Sequence, residues 1–175
     1  IGALTQKLVD IAIPTDPVAY AVDNSNMLQI FNPGSGTAPV SKTISGLQSG
    51  ENIFGIDFRP LNGQLFALGS TSRIYRIDLG TGAATQVGSQ LSTLISGTDF
   101  GFDFNPSVDR IRVVSNTGQN LRINPADATL IVDSPVNGVA TNAIGAAAYS
   151  NNTAGTAATT LYTIDHNLDI LYVQT

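Results

Sequence analysis

An internal repeat with a step of about 46 residues constrains this chain more than any other feature. The segment FGIDFRPLNGQLFALGS at 54–70 returns in similar form as FGFDFNPSVDRIRVVS at 100–115. Asp57 and Asp103 are 46 positions apart, and Asp10 lies 47 positions before Asp57. The repeat therefore predicts successive units of similar structure, each with an acidic residue between two apolar ones.

Two further series of residues follow the same step. One consists of turn residues, and the other of residues within strand-like segments. The turn series is Asn32, Asp78 and Asn124. The strand series is Tyr20, Phe66 and Arg112. Asn and Asp at such turns accept hydrogen bonds from the backbone that follows, which closes a hairpin. Three independent series with one step are strong evidence that the repeat is structural.

Each unit divides into four strand-like segments. In the second unit these are NIFGIDF, GQLFALGS, RIYRIDL and AATQVGS, separated by the turn-forming segments RPLNG, STS and GTG. Repeats of about 40–50 residues that contain only strands and turns are typical of β-propeller blades. We therefore predict an all-β fold of the β-propeller type, with about four four-stranded blades in one domain over residues 1–175. The approximate units are 7–49, 53–97, 99–141 and 143–175.

The fourth unit differs from the others in two ways. Ala147 or Ala148 takes the place of the repeated Asp, and the chain stops at Thr175 before any fourth strand. We therefore expect an incomplete last blade, in a chain truncated at its C-terminus. The exposed edge along ILYVQ at 170–174 is well suited to strand pairing. We expect it to pair with a neighbouring copy in a homo-oligomer, with another chain, or with a removed C-terminal segment.

Composition excludes several classes of function. Lys occurs twice and Glu once. Because these residues are common on the exposed faces of helices, their scarcity argues against a helical domain. The net charge of −5 without basic clusters argues against nucleic acid, and no apolar run approaches the ~20 residues of a membrane span. The absence of Cys excludes disulfides and thiolate chemistry. Together with many Thr and Asn residues, this composition is typical of exported bacterial proteins.

The repeated motifs resemble a family of secreted bacterial domains of unknown function. The segments that carry the resemblance are GIDFRP, NGQLFALGS and RIYRIDLGTGAATQVG, followed by FGFDFNPSVDRIRVVSNTGQNLRINP. The resemblance extends from about Val18 to Thr175. It implies a secreted, β-rich module with propeller-like repeats whose domain continues beyond the equivalent of Thr175. It implies no catalytic residues.

The repeated acids allow two interpretations. The first strand of a propeller blade lies nearest the axis, which would place Asp10, Asp57 and Asp103 around a channel. Because glycosidases use paired carboxyl groups, one hypothesis is a carbohydrate-active hydrolase with Asp57 and Asp103 as catalytic acids. We favour the other interpretation, that each Asp accepts hydrogen bonds from a neighbouring blade or pairs with an arginine. The candidate arginines are Arg59, Arg110 and Arg112.

One segment has the spacing of a calcium loop. Asp165, Asn167 and Asp169 follow the pattern D-x-N-x-D, but Ile170 replaces the required Gly and no bidentate Glu follows. We favour a simple strand-connecting turn. It contains the only histidine, His166, and no G-x-S-x-G nucleophile motif accompanies it.

The composition, the repeat and the favoured interpretations of the acids and of the turn together predict a module without catalytic activity or cofactor. We expect an extracellular domain for binding, adhesion or structural assembly, whose blade loops contact the ligand. The alternative is the carbohydrate-active hydrolase described above.

Overall fold

The computed structural model describes residues 18–36, 38–138 and 143–174. This part of the chain contains fourteen β-strands and no helix, so the all-β prediction is confirmed. Consistently, the described residues contain no helix long and apolar enough to span a membrane. The strands are β1 Ala19–Val22, β2 Met27–Phe31, β3 Val40–Thr43, β4 Ile53–Phe58, β5 Leu65–Gly69, β6 Arg73–Ile77, β7 Ala84–Val87, β8 Phe100–Asn105, β9 Arg110–Ser115, β10 Asn120–Ile123, β11 Leu130–Val132, β12 Ile144–Tyr149, β13 Leu161–Asp165 and β14 Ile170–Gln174.

The strands form four antiparallel sheets, and the strand order within each sheet follows the chain. The first sheet contains β1–β3, the second β4–β7, the third β8–β11 and the fourth β12–β14. The prediction of about four sheets with an incomplete last one is confirmed. Segment 7–13, which contains Asp10 and was predicted as the first strand of the first unit, lies outside the described residues.

Apolar layers hold the first three sheets together. The second sheet contributes Leu65, Ala67 and Tyr75 to the layer against the first sheet, and Phe66 and Ile74 to the layer against the third. All five side chains are fully buried or nearly so. Burial of each large apolar side chain stabilises the fold by about 1.5–3 kcal/mol. We call the face of a sheet that looks toward the next sheet along the chain its forward face.

The turn residues of the repeat close hairpins as predicted. Asp78 and Asn124 lie directly after the third strands of their sheets, and Asn32 lies directly after β2. Each accepts a hydrogen bond from a backbone N–H two or three residues later. The bonds join Gly34 N to Asn32 Oδ1 (2.8 Å), Thr81 N to Asp78 Oδ1 (2.7 Å), and Ala126 N to Asn124 Oδ1 (3.1 Å). The repeated step therefore reflects a repeated turn structure.

Candidate functional site

A glycine and an aspartate recur on the forward face of the first strands of the second and third sheets. Gly55 lies on β4 and Gly101 on the equivalent strand β8. A Cβ atom added to Gly55 would lie 2.6 Å from the Cβ atom of Phe102, and one added to Gly101 would lie 2.5 Å from the backbone nitrogen of Ala147. Because real Cβ atoms do not approach neighbours so closely, glycine is required where the next sheet packs against these strands.

The repeated acids bond to the next sheet in the same way. Asp57 Oδ2 accepts a hydrogen bond from the backbone N–H of Phe104 at 2.8 Å. Asp103 Oδ2 accepts one from the backbone N–H of Tyr149 at 2.6 Å. Asp57 Oδ1 is also occupied, by the N–H of Phe58 at 2.8 Å. The Gly-x-Asp motif therefore joins each of these sheets to the next.

The arginines expected as alternative partners bind other groups. Arg59 forms an ion pair with Asp109, and Arg112 forms one with Asp133. The Nη1 atom of Arg110 donates to two backbone carbonyls. Among the described residues, no arginine forms an ion pair with either repeated acid, so hydrogen bonding to the neighbouring sheet is the arrangement observed.

The carboxyl groups of Asp57 and Asp103 also influence each other's pKa. Burial raises the pKa of Asp57 above its ordinary value. Burial, together with the negative charge of Asp57, raises the pKa of Asp103 to about 8. The pair therefore holds one proton near neutral pH. The two carboxyl groups of a glycosidase act separately, one on the leaving group and one on the sugar carbon or a water molecule. The two carboxyl groups of this pair instead share a proton and bind backbone N–H groups.

The fourth sheet lacks both parts of the motif. In the third sheet, the N–H that bonds to the preceding sheet belongs to Phe104, the residue directly after Asp103. In the fourth sheet, the equivalent N–H belongs to Tyr149, so the residue before it, Ala148, is at the position of the acid. Ala146 correspondingly replaces the glycine. The forward face of this sheet carries the exposed side chains of Leu171 and Val173 on β14. The fourth sheet therefore lacks the Gly-x-Asp contact that joins the second sheet to the third and the third to the fourth.

The interface between the third and fourth sheets differs from the two apolar layers. Strand register places Arg112, Asn120 and Asp133 of the third sheet at the positions that hold Phe66, Ile74 and Val87 in the second. The three residues of the second sheet are buried in an apolar layer. Their polar counterparts in the third sheet create a different kind of contact with the fourth sheet.

These polar residues form a hydrogen-bonded network. Arg112 Nη1 donates to Asp133 Oδ2 and to Asn120 Oδ1, both at 2.7 Å. Arg112 Nε donates to the hydroxyl of Tyr149 at 3.2 Å, which connects the third sheet to the fourth. Asp133 Oδ1 accepts a further bond from Arg122 Nη2 at 2.9 Å. A single carboxylate is therefore shared by two guanidinium groups.

A cleft of about 360 Å³ lies beside this network, between the third and fourth sheets. Its lining includes Asn105, Arg112, Asp133 and Tyr149. Gln174 also lines the cleft, and its side-chain amide accepts from the backbone N–H of Asn137 at 3.0 Å and donates to the carbonyl of the same residue at 3.1 Å. The volume lies within the range of about 300–1,000 Å³ that is usual for small-ligand pockets.

Arg112 is the central charge of the cleft. Burial lowers the pKa of Arg112, but hydrogen bonds and charges from Asp133 and Tyr149 outweigh this effect and raise it above its ordinary value. The guanidinium group is therefore a permanent cation whose side chain is only 13% exposed. Screening by water is weaker in such a position than at the surface.

The segment with calcium-loop spacing is a turn between β13 and β14. Asp165 Oδ1 accepts hydrogen bonds from the backbone N–H groups of Asn167 (3.0 Å) and Leu168 (3.1 Å). Asp169 has a positive φ of 54°, and His166 is exposed. The described part of the chain holds no group of three or more His, Cys, Asp and Glu residues that could bind a metal ion. The calcium hypothesis stays a prediction to be tested by chelation.

Residues 27–175 match the model of a protein family described as a domain of unknown function, DUF4394. The chain belongs to this family. The match confirms the resemblance drawn from the repeated motifs. The matched region begins at Met27, the first residue of β2, so it contains all the described strands except β1. No match was found among curated proteins. The family description states no activity, so function must be argued from the site itself.

Most of the cleft was not predicted from the sequence. Asn120, Asp133 and Tyr149 were not candidates, and Arg112 was considered only as a partner of the repeated acids. One signal was present, because the series Tyr20, Phe66 and Arg112 changes from two aromatic residues to a charged one. In a repeat protein, such a change at a core position indicates that one interface has a different role.

Proposed function

We propose that this DUF4394 domain is an extracellular, non-catalytic binding module of the β-propeller type. The observation that carries the proposal is the polar cleft between the third and fourth sheets. Removing charged groups from water opposes folding, and apolar residues of similar size are often neutral or more stable at such sites. Stability alone therefore does not explain Arg112 and Asp133 at positions that are apolar in the second sheet.

The sheet arrangement supports the propeller part of the proposal. Successive antiparallel sheets pack face to face, and β8, the first strand of the third sheet, contacts the first strands on both sides, β4 and β12. Propeller blades are sheets of this kind, arranged around an axis with the first strand innermost. The lack of Cys and the scarcity of Lys and Glu support export, as does the resemblance to secreted bacterial domains.

The surroundings of the repeated acids support a non-catalytic role. Both oxygens of Asp57 accept backbone hydrogen bonds, and one oxygen of Asp103 does so as well. A general acid or base must instead direct an oxygen toward the substrate proton.

Affinity electrophoresis in gels that contain soluble polysaccharides tests this function. We expect at least one polysaccharide to retard the native protein, while a reducing-end assay detects no cleavage. The hydrolase alternative requires released reducing ends. Cleavage that is lost in folded Asp57→Ala and Asp103→Ala variants, but kept in the control Asp169→Asn, would replace binding with catalysis as the function.

Strand β14 gives the proposed module a surface for assembly. Leu171 and Val173 are 59% and 56% exposed, and β14 has no neighbour on its outer side among the described strands. Unpaired backbone N–H and C=O groups on such an edge readily pair with another chain. We propose that β14 pairs with a neighbouring copy.

Light scattering at low micromolar concentration tests the assembly. We expect a dimer or larger species, and a shift to monomer in Val173→Lys because a charge blocks the edge. The matched control is Val132→Lys, a similarly exposed position (56%) on the outer strand β11 of the third sheet. A stable monomeric native protein with β14 open to solvent would contradict the proposal.

A further inference from the structure

We propose that the cleft between the third and fourth sheets binds the carboxylate group of a small organic acid, with Arg112 as the anchoring cation. This inference rests on the binding role proposed above and names the chemistry of the ligand. It follows from three properties of the cleft: its unused hydrogen-bond donors, its occupied acceptors and its local charge.

Two donors at the centre of the cleft are not used by the protein. Arg112 donates through Nε and Nη1, whereas its Nη2 atom has no acceptor among the described residues. The hydroxyl oxygen of Tyr149 accepts from Arg112 Nε, so its own proton is available to a ligand. A group that binds here therefore meets two neighbouring donors, one of which is charged.

The acceptors around these donors are already occupied. Both carboxylate oxygens of Asp133 accept from arginines. The side-chain oxygen of Asn120 accepts from Arg112, and that of Asn105 accepts from the N–H of Ser107 at 3.0 Å. The free group of Asn105 is its NH₂, which adds a third donor. A carboxylate fits such a cleft because it only accepts hydrogen bonds.

The local charge favours a singly charged anion. Arg112 and Arg122 together carry two positive charges, and Asp133 supplies one negative charge between them. These three groups have an excess of one positive charge in a chain with a net charge of −5. Asp103 lies opposite Arg112 on the neighbouring strand, but the negative charge of the Asp57–Asp103 pair is already bound by backbone N–H groups. Because Arg112 is mostly buried, its bond to an anion is stronger than a surface ion pair. A single carboxylate balances this excess.

Calorimetric titration with three small probes tests the proposal directly. Galacturonate is a sugar acid, galactose is the neutral sugar with the same ring, and N-acetylalanine is a singly charged acid without a sugar. We expect galacturonate to bind at pH 7 and low salt, and galactose to bind at least about tenfold more weakly because the charge-assisted hydrogen bond is missing. Equal affinity for N-acetylalanine would support a general carboxylate site, and selective binding of galacturonate would support an acidic sugar.

Two variants assign the binding to the cleft. Arg112→Lys keeps the charge but removes the planar donor geometry, and we expect a loss of about tenfold or more in galacturonate affinity. Tyr149→Phe removes a single hydroxyl group and should also weaken binding. The control is Arg76→Lys, an exposed arginine on the second sheet at the position equivalent to Arg122. Its affinity should not change.

Three outcomes would overturn the carboxylate site: no binding of galacturonate, equal binding of galactose, or unchanged affinity in folded Arg112→Lys and Tyr149→Phe variants. These outcomes are separate from the polysaccharide test. Polysaccharide retardation that persists in Arg112→Lys would overturn the assignment to this cleft and leave the binding function in place. Galacturonate binding without any retardation would support the cleft and restrict the function to small ligands.

Discussion

Replacing Asp57 with Asn tests the role of the repeated acids in one step. The carboxyl group of Asp57 accepts two backbone hydrogen bonds, from Phe58 within its own strand and from Phe104 in the next sheet. An amide has a single acceptor oxygen, so either orientation turns an NH₂ group toward one of these backbone donors. One backbone N–H therefore loses its partner in the variant.

The expected magnitude follows from that unpaired donor. A partly buried N–H without a partner destabilises a fold by about 1–3 kcal/mol. For a domain of this size, each kcal/mol lowers the melting temperature by about 2–4 °C. We therefore expect a clear decrease in the melting temperature of Asp57→Asn at pH 5, where the carboxyl pair of the native protein still carries a proton.

The pH dependence gives the same variant a second readout. The pKa of Asp103 is raised from 3.8 to about 8, first by burial and then by the charge of Asp57. The native state thus binds more protons than the unfolded state between these values. Its stability should be greatest near pH 4 and should decrease as the pH rises toward 8. Without the charge of Asp57, the pKa of Asp103 falls, so the variant should lose less stability across this range.

Urea denaturation of both proteins at pH 5 and pH 8 measures these effects. The matched control is Asp169→Asn, the same chemical change at an exposed turn residue with positive φ. The control should unfold like the native protein at both pH values. Native stability of Asp57→Asn at pH 5, or a pH dependence identical to that of the native protein, would refute the reasoning.

Three further predictions concern other contacts of the fold. Glu51 is 3% exposed and accepts hydrogen bonds from Tyr75 and Thr71, so Glu51→Gln should lower the free energy of unfolding in urea by about 1–3 kcal/mol; unchanged stability would contradict this role. Arg59→Gln removes the ion pair with Asp109 between loops of the second and third sheets, and we expect a loss of about 1 kcal/mol or less that shrinks in 1 M salt. A loss that grows with salt would argue against an ion-pair effect. Chelation with EDTA should not shift the melting temperature, whereas a decrease that added calcium reverses would assign an ion to the turn at 165–169.

The strands could be predicted from the sequence almost completely. Each strand of the second sheet falls within a predicted segment, as β6 Arg73–Ile77 does within RIYRIDL. This worked because turn residues such as Asp78 mark the strand ends, and their hydrogen bonds depend only on residues two or three positions away. Local chemistry of this kind is readable in a single sequence.

The cleft could not be predicted because its contacts join residues from different sheets. Arg112 meets Asp133 across the third sheet and Tyr149 across the gap to the fourth, and both pairings depend on how the sheets pack. The equivalence of Ala148 to the repeated acids was also ambiguous, because the spacing in the fourth unit differs from the step of 46 residues. Only the hydrogen bond from Tyr149 N–H to Asp103 resolves it.

Hydrogen exchange of two backbone amides tests the central claim most directly, which is that the repeated acids join adjacent sheets. The amides are those of Phe104 and Tyr149, which donate to Asp57 and Asp103. NMR should find both protected in the native protein. Asp57→Ala should selectively expose the amide of Phe104, and Asp103→Ala that of Tyr149. Unprotected amides in the native protein, or protection that neither substitution changes, would contradict the claim.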